Sequence, residues 1–313
     1  MWFAVLLLAG VLAVPGLSAQ RPVPSGGEWQ IDRRSHSDRV QLNIRYGEGR
    51  SSSNWGRDIP MSELVGLSPA EMNGSRTRVH FRIVRPAGTL VCEGWFERGN
   101  GSGDFTYQPN PDFVTGLAKR GISAPTEWEQ FTMTMAAVGL DLVDELKRQD
   151  YDTPTSHELA RMGTHGVDLE YVREMGARGY HLGDAESLIR MRDHGVDPEF
   201  IASLNGAGYR NLAAEDLVRL RDHGVDGDYI QDMKEMGYAP ADPEELVASR
   251  DHGVDPSYIQ SLGDAGYKHL TLQELRRARD HGVTKGFILR VKNRGSGLVS
   301  LNEIIRLRDQ GLD

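Results

Sequence analysis

The sequence predicts an α+β protein: a small N-terminal antiparallel β domain followed by an α-helical, solenoid-like array of 29-residue two-helix repeats. Three observations predict it. Apolar and polar residues alternate with period two across residues 28–108. A His-Gly-Val-Asp signature then recurs at one fixed interval through residues 155–313. An uncharged apolar run stands ahead of both.

That run, Met1 to Val14, is broken by Pro15-Gly16, and Leu17-Ser18-Ala19 offers a small residue for cleavage before Gln20. The layout is that of a signal peptide over residues 1–19. It falls short of the ~20 residues that span a bilayer. The chain is therefore expected to be secreted or periplasmic, with residues 20–27 as a linker and no membrane span after cleavage. At 313 residues with 39% hydrophobic side chains there is room for two cores. A net charge of −9 argues against nucleic acid as a partner. Cys92 is the single cysteine, so it forms no intramolecular disulfide and belongs to no thiolate cluster. Its strand-like surroundings, Thr89 to Phe96, mark it as a buried packing residue.

In the β domain, Val40 to Tyr46 and Val79 to Val84 alternate as half-buried strands do. Pro86-Ala87-Gly88 turns the chain into the Cys92 strand, and Asn100-Gly101-Ser102-Gly103 reads as the next turn, before Asp104 to Tyr107. These three segments predict an antiparallel meander within a small sandwich or half-barrel. Met61 to Val65 predicts one helical turn. The glycines at 99, 101 and 103 resemble a phosphate loop, but such a loop needs a helix start after it, and here a strand follows.

The array carries start and stop signals for two helices per repeat. The first begins at a cap column, Thr155, Asp184, Ala213, Asp242, Thr271 and Ser300. Thr155/Glu158, Thr271/Glu274 and Ser300/Glu303 are expected capping boxes. It ends at a His-Gly pair, where glycine adopts the left-handed conformation. The second starts at once, Asp197-Pro198 and Asp255-Pro256 supplying an acceptor and an N1 proline. It stops at Gly179, Gly208, Gly237, Gly266 and Gly295. Helices of roughly ten residues are marginal alone, so neighbours must supply the core. Residues 109–154 form a transition segment. Asn110 to Ile122 matches a second helix and is a degenerate half-repeat, whereas Glu127 to Tyr151 fits the register poorly and Phe131 to Met135 alternates like a strand.

Polar residues also recur in columns. Histidines at 165, 194, 223, 252 and 281 stand one per repeat. Packed helices lie roughly 8–10 Å apart, too far for two imidazoles to share a zinc at about 2.0–2.1 Å. They are expected to face their own helix's dipole and terminal carbonyls. The neighbouring Arg and Asp columns read as a solvated face with inter-repeat ion pairs. The sharper alternative is a partner-binding ridge of Arg192, Arg221, Arg250, Arg279, His194, His223, His252 and His281. His157-Glu158 begins like a zinc-protease motif, but Arg161 stands at the second ligand position. No catalytic, cofactor or metal residues are expected, and the chain reads as a non-enzyme.

The unit Leu217 to Asp226, followed by Tyr229-Ile230, Met233 and Gly237-Tyr238, resembles a family repeat. Similar helical repeats extend the β-lactam-sensor type of bacterial antirepressor metallopeptidase and occur in related envelope proteins. The resemblance covers residues 155–313. Cys92 to Phe96, the glycine-rich stretch to Phe105, and Asn110 to Phe113 also resemble what precedes these repeats there. The peptidase motif has no counterpart here, so that activity does not carry over. What the resemblance implies is a sensor-side or interaction module in the bacterial envelope. A protein partner is the leading expectation. The alternative is a glycan or lipid fragment bound by the β domain, with Trp29, Trp55 or Trp95 lining a cleft and the array as scaffold.

Overall fold

The computed structural model describes residues 24–33, 38–47, 52–240 and 242–311; the expected signal segment 1–19 lies outside them. The chain divides into two units: residues up to Pro111 with Pro125–Thr134, and Asp112–Ala124 with Met135 onward.

The first unit is built on one seven-stranded sheet. Its strands are β1 (Gly26–Arg33), β2 (Arg39–Tyr46), β3 (Ser53–Pro60), β4 (Leu64–Val65), β5 (Thr77–Arg85), β6 (Gly88–Glu97) and β7 (Asn100–Pro109). The order is β3-β2-β1-β7-β6-β5-β4, every pair antiparallel. A single sheet excludes the two-sheet sandwich. The expected meander of Val79, Cys92 and Asp104 segments is β5-β6-β7. Met61–Glu63 forms a 3₁₀ turn, but Leu64 and Val65 pair with β5. A short α1 (Pro69–Asn73) follows, boxed by Ser68 and Glu71.

The β6–β7 turn falls earlier than expected. Glu97 pairs with Asn100, so the loop is Arg98-Gly99, with φ of 52° and 90°. A type I′ two-residue hairpin needs positive φ at both centres, as found here. Gly101 and Gly103 are therefore free of turn duty and serve packing. A Cβ on Gly101 would meet the Phe96 ring at 2.6 Å, and one on Gly103 would meet Glu93 O at 2.0 Å. The Trp29 indole lies across this seam, its Nε1 donating to Glu93 O and Asp104 O at 3.1 Å each. Trp29 is 1% exposed, stacks on Phe96 and meets Phe81 edge-to-face. Cys92 is fully buried, and burial pushes its thiol up to about 12.

The remaining elements are helices, and their period runs further than the signature shows. First-type helices are α3 (Glu127–Met135), α5 (Ser156–Thr164), α7 (Ala185–Asp193), α9 (Ala214–Asp222), α11 (Pro243–Asp251), α13 (Leu272–Asp280) and α15 (Leu301–Asp309). Second-type helices are α2 (Pro111–Ala118), α4 (Leu140–Arg148), α6 (Leu169–Ala177), α8 (Pro198–Gly206), α10 (Gly227–Glu235), α12 (Pro256–Asp264) and α14 (Lys285–Val291). Start positions within each set are 29 residues apart throughout. The 109–154 segment is thus in register, and the expected strand at 131–135 is a helix. A Thr126–Glu129 capping box opens it. Gln130, Phe131, Met133, Thr134 and Met135 are all buried, which erases the 3.6-residue alternation in sequence. In the first unit Phe131 packs on Tyr46 and Tyr107 with ring centroids 5.1 and 5.0 Å apart. Gln130 Nε2 bonds Ala87 O and Asn110 O, both at 2.9 Å.

In the second unit the helices up to α13 end in Schellman motifs, whereas α14 runs on into a π-helical turn over Lys292–Ser296. Val167 N–H reaches Met162 O at 2.8 Å while Gly166 N–H reaches Gly163 O; Tyr180 and Gly179 do the same to Met175 and Gly176. The left-handed position is held by Ala137 (φ 58°) where later repeats have Gly166 to Gly311, and by Asp150 (φ 59°) where they have Gly179 to Gly295. Those two substitutions hid the early repeats. Asp168, Asp197, Asp226, Asp255 and Thr284 each accept from the N–H three residues on. Two expected capping boxes form, at Thr155 and Thr271. The third does not: Ser300 caps Glu303 N–H, but the Glu303 carboxylate turns to Arg306 at 2.6 and 2.9 Å.

Gly103→Ala should destabilise the protein by about 2–3 kcal/mol, because backbone cannot yield as a flexible side chain does. The exposed neighbour Ser102→Ala should stay within roughly 0.5 kcal/mol. Paired thermal melts check both.

Candidate interaction face of the repeat array

Helices of one type pack on like helices of the next repeat, as α5 on α7, α11 on α13, and α8 on α10. Equivalent side chains therefore stand in columns one repeat apart. Helix ends bring three columns together: the histidine, the aspartate before it, and the arginine before that.

Each histidine is the C-cap residue of its helix, with φ near −80 to −90° in all five copies. Its ring does not turn back to its own carbonyls, as expected from sequence; it reaches forward to the next repeat. His165 Nδ1 meets Asp193 Oδ1 at 2.6 Å, His194 meets Asp222 at 2.8 Å, and His223 meets Asp251 at 2.6 Å. His252–Asp280 and His281–Asp309 follow at 2.6 and 2.7 Å. A carboxylate only accepts, so Nδ1 carries the hydrogen and Nε2 points away from the pair. Backbone N–H groups already answer the terminal carbonyls, which leaves the imidazole available to the neighbour. Among the described residues no group of three or more His, Cys, Asp or Glu is placed to hold a metal ion.

Among the described residues the arginine column turns to aromatic rings, not to the aspartate column. Arg192, Arg221, Arg250, Arg279 and Arg308 lie over the rings of Tyr171, Phe200, Tyr229, Tyr258 and Phe287, guanidinium to centroid 4.7–5.3 Å. Each ring belongs to the preceding repeat. The guanidinium's other neighbour is that repeat's turn glycine: a Cβ on Gly195 would sit 3.2 Å from Arg221 Nε. Glycine there serves both the left-handed turn and the close approach of arginine. Where the ring is tyrosine, its hydroxyl donates to a valine carbonyl one repeat on, Tyr171 to Val196 and Tyr229 to Val254 at 2.9 Å, Tyr258 to Val283 at 3.0 Å. Burial pushes the Tyr229 and Tyr258 phenols up to about 12, so these donors stay protonated.

Four further links run along the outer side of the first-type helices. Arg190 pairs with Glu215 at 2.8 Å, Arg219 with Glu244 at 2.6 Å, Arg277 with Asn302 at 2.8 Å, and Arg161 with Glu186. Nearer the array's start, Glu145 of α4 is 2% exposed and accepts from Arg148, from Gln149 at 2.5 Å and from Arg173 of α6 at 3.1 Å. The Arg148 hydrogen bond is the main reason its carboxyl is held down at about 2. Neither Glu145 nor the aromatic seats of the arginines stood among the residues expected from sequence. A signal for the seats existed: each arginine follows its ring by 21 residues throughout.

In the β domain the Trp29 side chain is part of the core, its indole N–H spent on two strand carbonyls, while the residue borders a shallow groove with Glu28 and Asn43. Trp55 lies under the buried Arg85 at 5.2 Å. Trp95 is 47% exposed with Arg76 over it at 5.5 Å, beside a shallow polar groove that Gln30, Asp32 and Ser102 line. A larger groove of about 890 Å³ opens in the array around Gly237, Gly263 and Tyr267.

Compared with known protein families and with curated proteins, the chain matches none.

Two outcomes follow from this geometry. Arg250→Ala should lower stability by about 0.5–2 kcal/mol, and Arg250→Lys, which keeps charge but not the planar face, by less. A double-mutant cycle with Tyr229→Leu should return a coupling of roughly 0.5–1 kcal/mol. Glu145 binds its proton less readily folded than unfolded. Its stabilisation, on the order of 3 kcal/mol, is therefore full above the ordinary carboxylate range and is lost as pH falls toward about 2. The gap in melting temperature between wild type and Glu145→Gln should be widest near neutral pH and should narrow progressively from about pH 4.5 to about pH 2.

Proposed function

We propose that this chain is an exported, non-enzymatic scaffold whose helical array presents a surface to a protein partner in the bacterial envelope. The observation that carries the reading is the ladder itself. Five successive repeats hold histidine, aspartate, arginine and ring in one geometry. Side chains already ordered by their neighbours give up little further freedom on docking, which is how a preorganised surface gains affinity.

The ridge of Arg192, Arg221, Arg250 and Arg279 with His194, His223, His252 and His281 is the surface we assign to the partner. The imidazoles are about one-third to two-fifths exposed, and each directs Nε2 away from its aspartate. With Nδ1 carrying the hydrogen, an ordered row of outward Nε2 acceptors at a constant step suits a partner with hydrogen-bond donors at a matching step. The resemblance of Leu217 to Tyr238 to the repeats of β-lactam-sensor-type antirepressor proteins supports a place in a sensing pathway. The apolar run at residues 1–14 supports export.

Immobilised protein incubated with envelope extract should retain a partner that a His194→Ala, His223→Ala, His252→Ala triple variant retains at least tenfold less. Recovery of nothing above background by the wild type, or equal retention by a folded triple variant, sinks the reading.

A further inference from the structure

Lys234 and Lys292 stand two periods apart and do the same work. Lys292 Nζ donates to Ala265 O at 2.7 Å, and Lys234 Nζ donates to Ala207 O. Ala207 and Ala265 are the C-cap residues of α8 and α12. Each lysine thus reaches back one repeat and sets its ammonium on the carbonyl end of the helix there. That end carries the negative pole of the helix and carbonyls without intrahelical partners.

The position midway between these lysines is Gly263, and the carbonyl equivalent to Ala207 and Ala265 belongs to Met236, the C-cap of α10. Gly263 and Met236 both line the 890 Å³ groove, with Gly237, Tyr238 and Tyr267. In the flanking repeats a Cβ on Gly208 or Gly266 would meet the lysine Nζ at 3.3 Å. At Gly237, and at Gly263 itself, a Cβ would meet nothing within 4 Å. The part of the groove between Gly263 and the Met236 carbonyl end is therefore the space that a lysine side chain fills in the repeats on either side; Lys268 and His269 line other parts of it. Asp264 at its edge is held by Lys285 at 2.9 Å and Gln260 at 2.8 Å, so the helix end, rather than that carboxylate, is the attraction for a cation.

We propose that this groove binds a primary ammonium group on an unbranched alkyl chain, seated on the end of α10 as Lys234 and Lys292 are seated on the ends of α8 and α12. Tyr238 and Tyr267 supply aromatic surface for the alkyl stem and its charge. Gly263 is the specificity-determining position, because any residue able to supply its own ammonium closes the site. The inference goes beyond the partner ridge, lies on different residues, and stands or falls separately from it.

The test is a titration of ¹⁵N-labelled full-length protein with n-butylamine and with Nα-acetyl-lysine methylamide. Saturable shifts are expected at the Gly237, Gly263 and Gly266 amides. The Nε-acetylated lysine compound should bind at least tenfold more weakly, as should both probes to Gly263→Lys. Tighter binding of the lysine compound than of butylamine assigns the site to a peptide-borne lysine; equal binding assigns it to the alkylammonium tail alone. Gly263→Met adds similar bulk without charge, so Gly263→Lys should melt about 2 °C above it. Equal binding of the acetylated probe, undiminished binding to Gly263→Lys, or equal melting of the two variants would overturn the proposal.

Discussion

Every feature of the array depends on one constraint: a nine-residue helix must be closed by a residue in the left-handed conformation so that the chain reverses within a few residues. A helix of that length makes too few internal hydrogen bonds to persist in water. It survives because the Schellman closure pairs its last carbonyls and delivers a valine or tyrosine onto its own apolar side. The closure also fixes where the next helix begins. That is why start positions recur at one interval in both helix sets, even where the residue at the left-handed position is Ala137 or Asp150.

Constant spacing makes the polar residues intelligible. A column of five histidines looks like a ligand set on paper, but each ring is committed to one aspartate of the following repeat. The arginines sit on rings of the preceding repeat, close to a glycine that has no side chain to keep them off. Each exposed link contributes little alone, roughly 0–1 kcal/mol. Repeated at every step, they hold successive repeats in one orientation and leave an ordered outer surface. The same regularity makes departures informative. Gly263 attracts attention only because lysine occupies the equivalent place on both sides.

Much of this was legible in sequence. Helix limits followed from Asp-Pro starts and His-Gly stops, since caps and glycine turns are local chemistry. Cys92 in the core followed from its apolar strand. Other features were illegible for identifiable reasons. The early repeats were masked because α3 is buried on more than one side and its closing residue is alanine. The β6–β7 turn was misplaced because Gly101 and Gly103 resemble turn residues, whereas they make room for Phe96 and Trp29. Ser300 lost its reciprocal cap because Arg306, one helical turn from Glu303, competes for the carboxylate.

The sequence by itself determined the α+β class, the meander, the repeat length and the ends of most helices. Those depend on propensity, capping and periodicity, which act over a few residues. Only the tertiary structure decided what the repeated side chains touch. A histidine can answer its own helix's carbonyls or a neighbour's aspartate, and an arginine can meet a carboxylate or a ring. The choice turns on distances across a stack, between groups 21 or 28 residues apart, and short-range pattern carries no information about those.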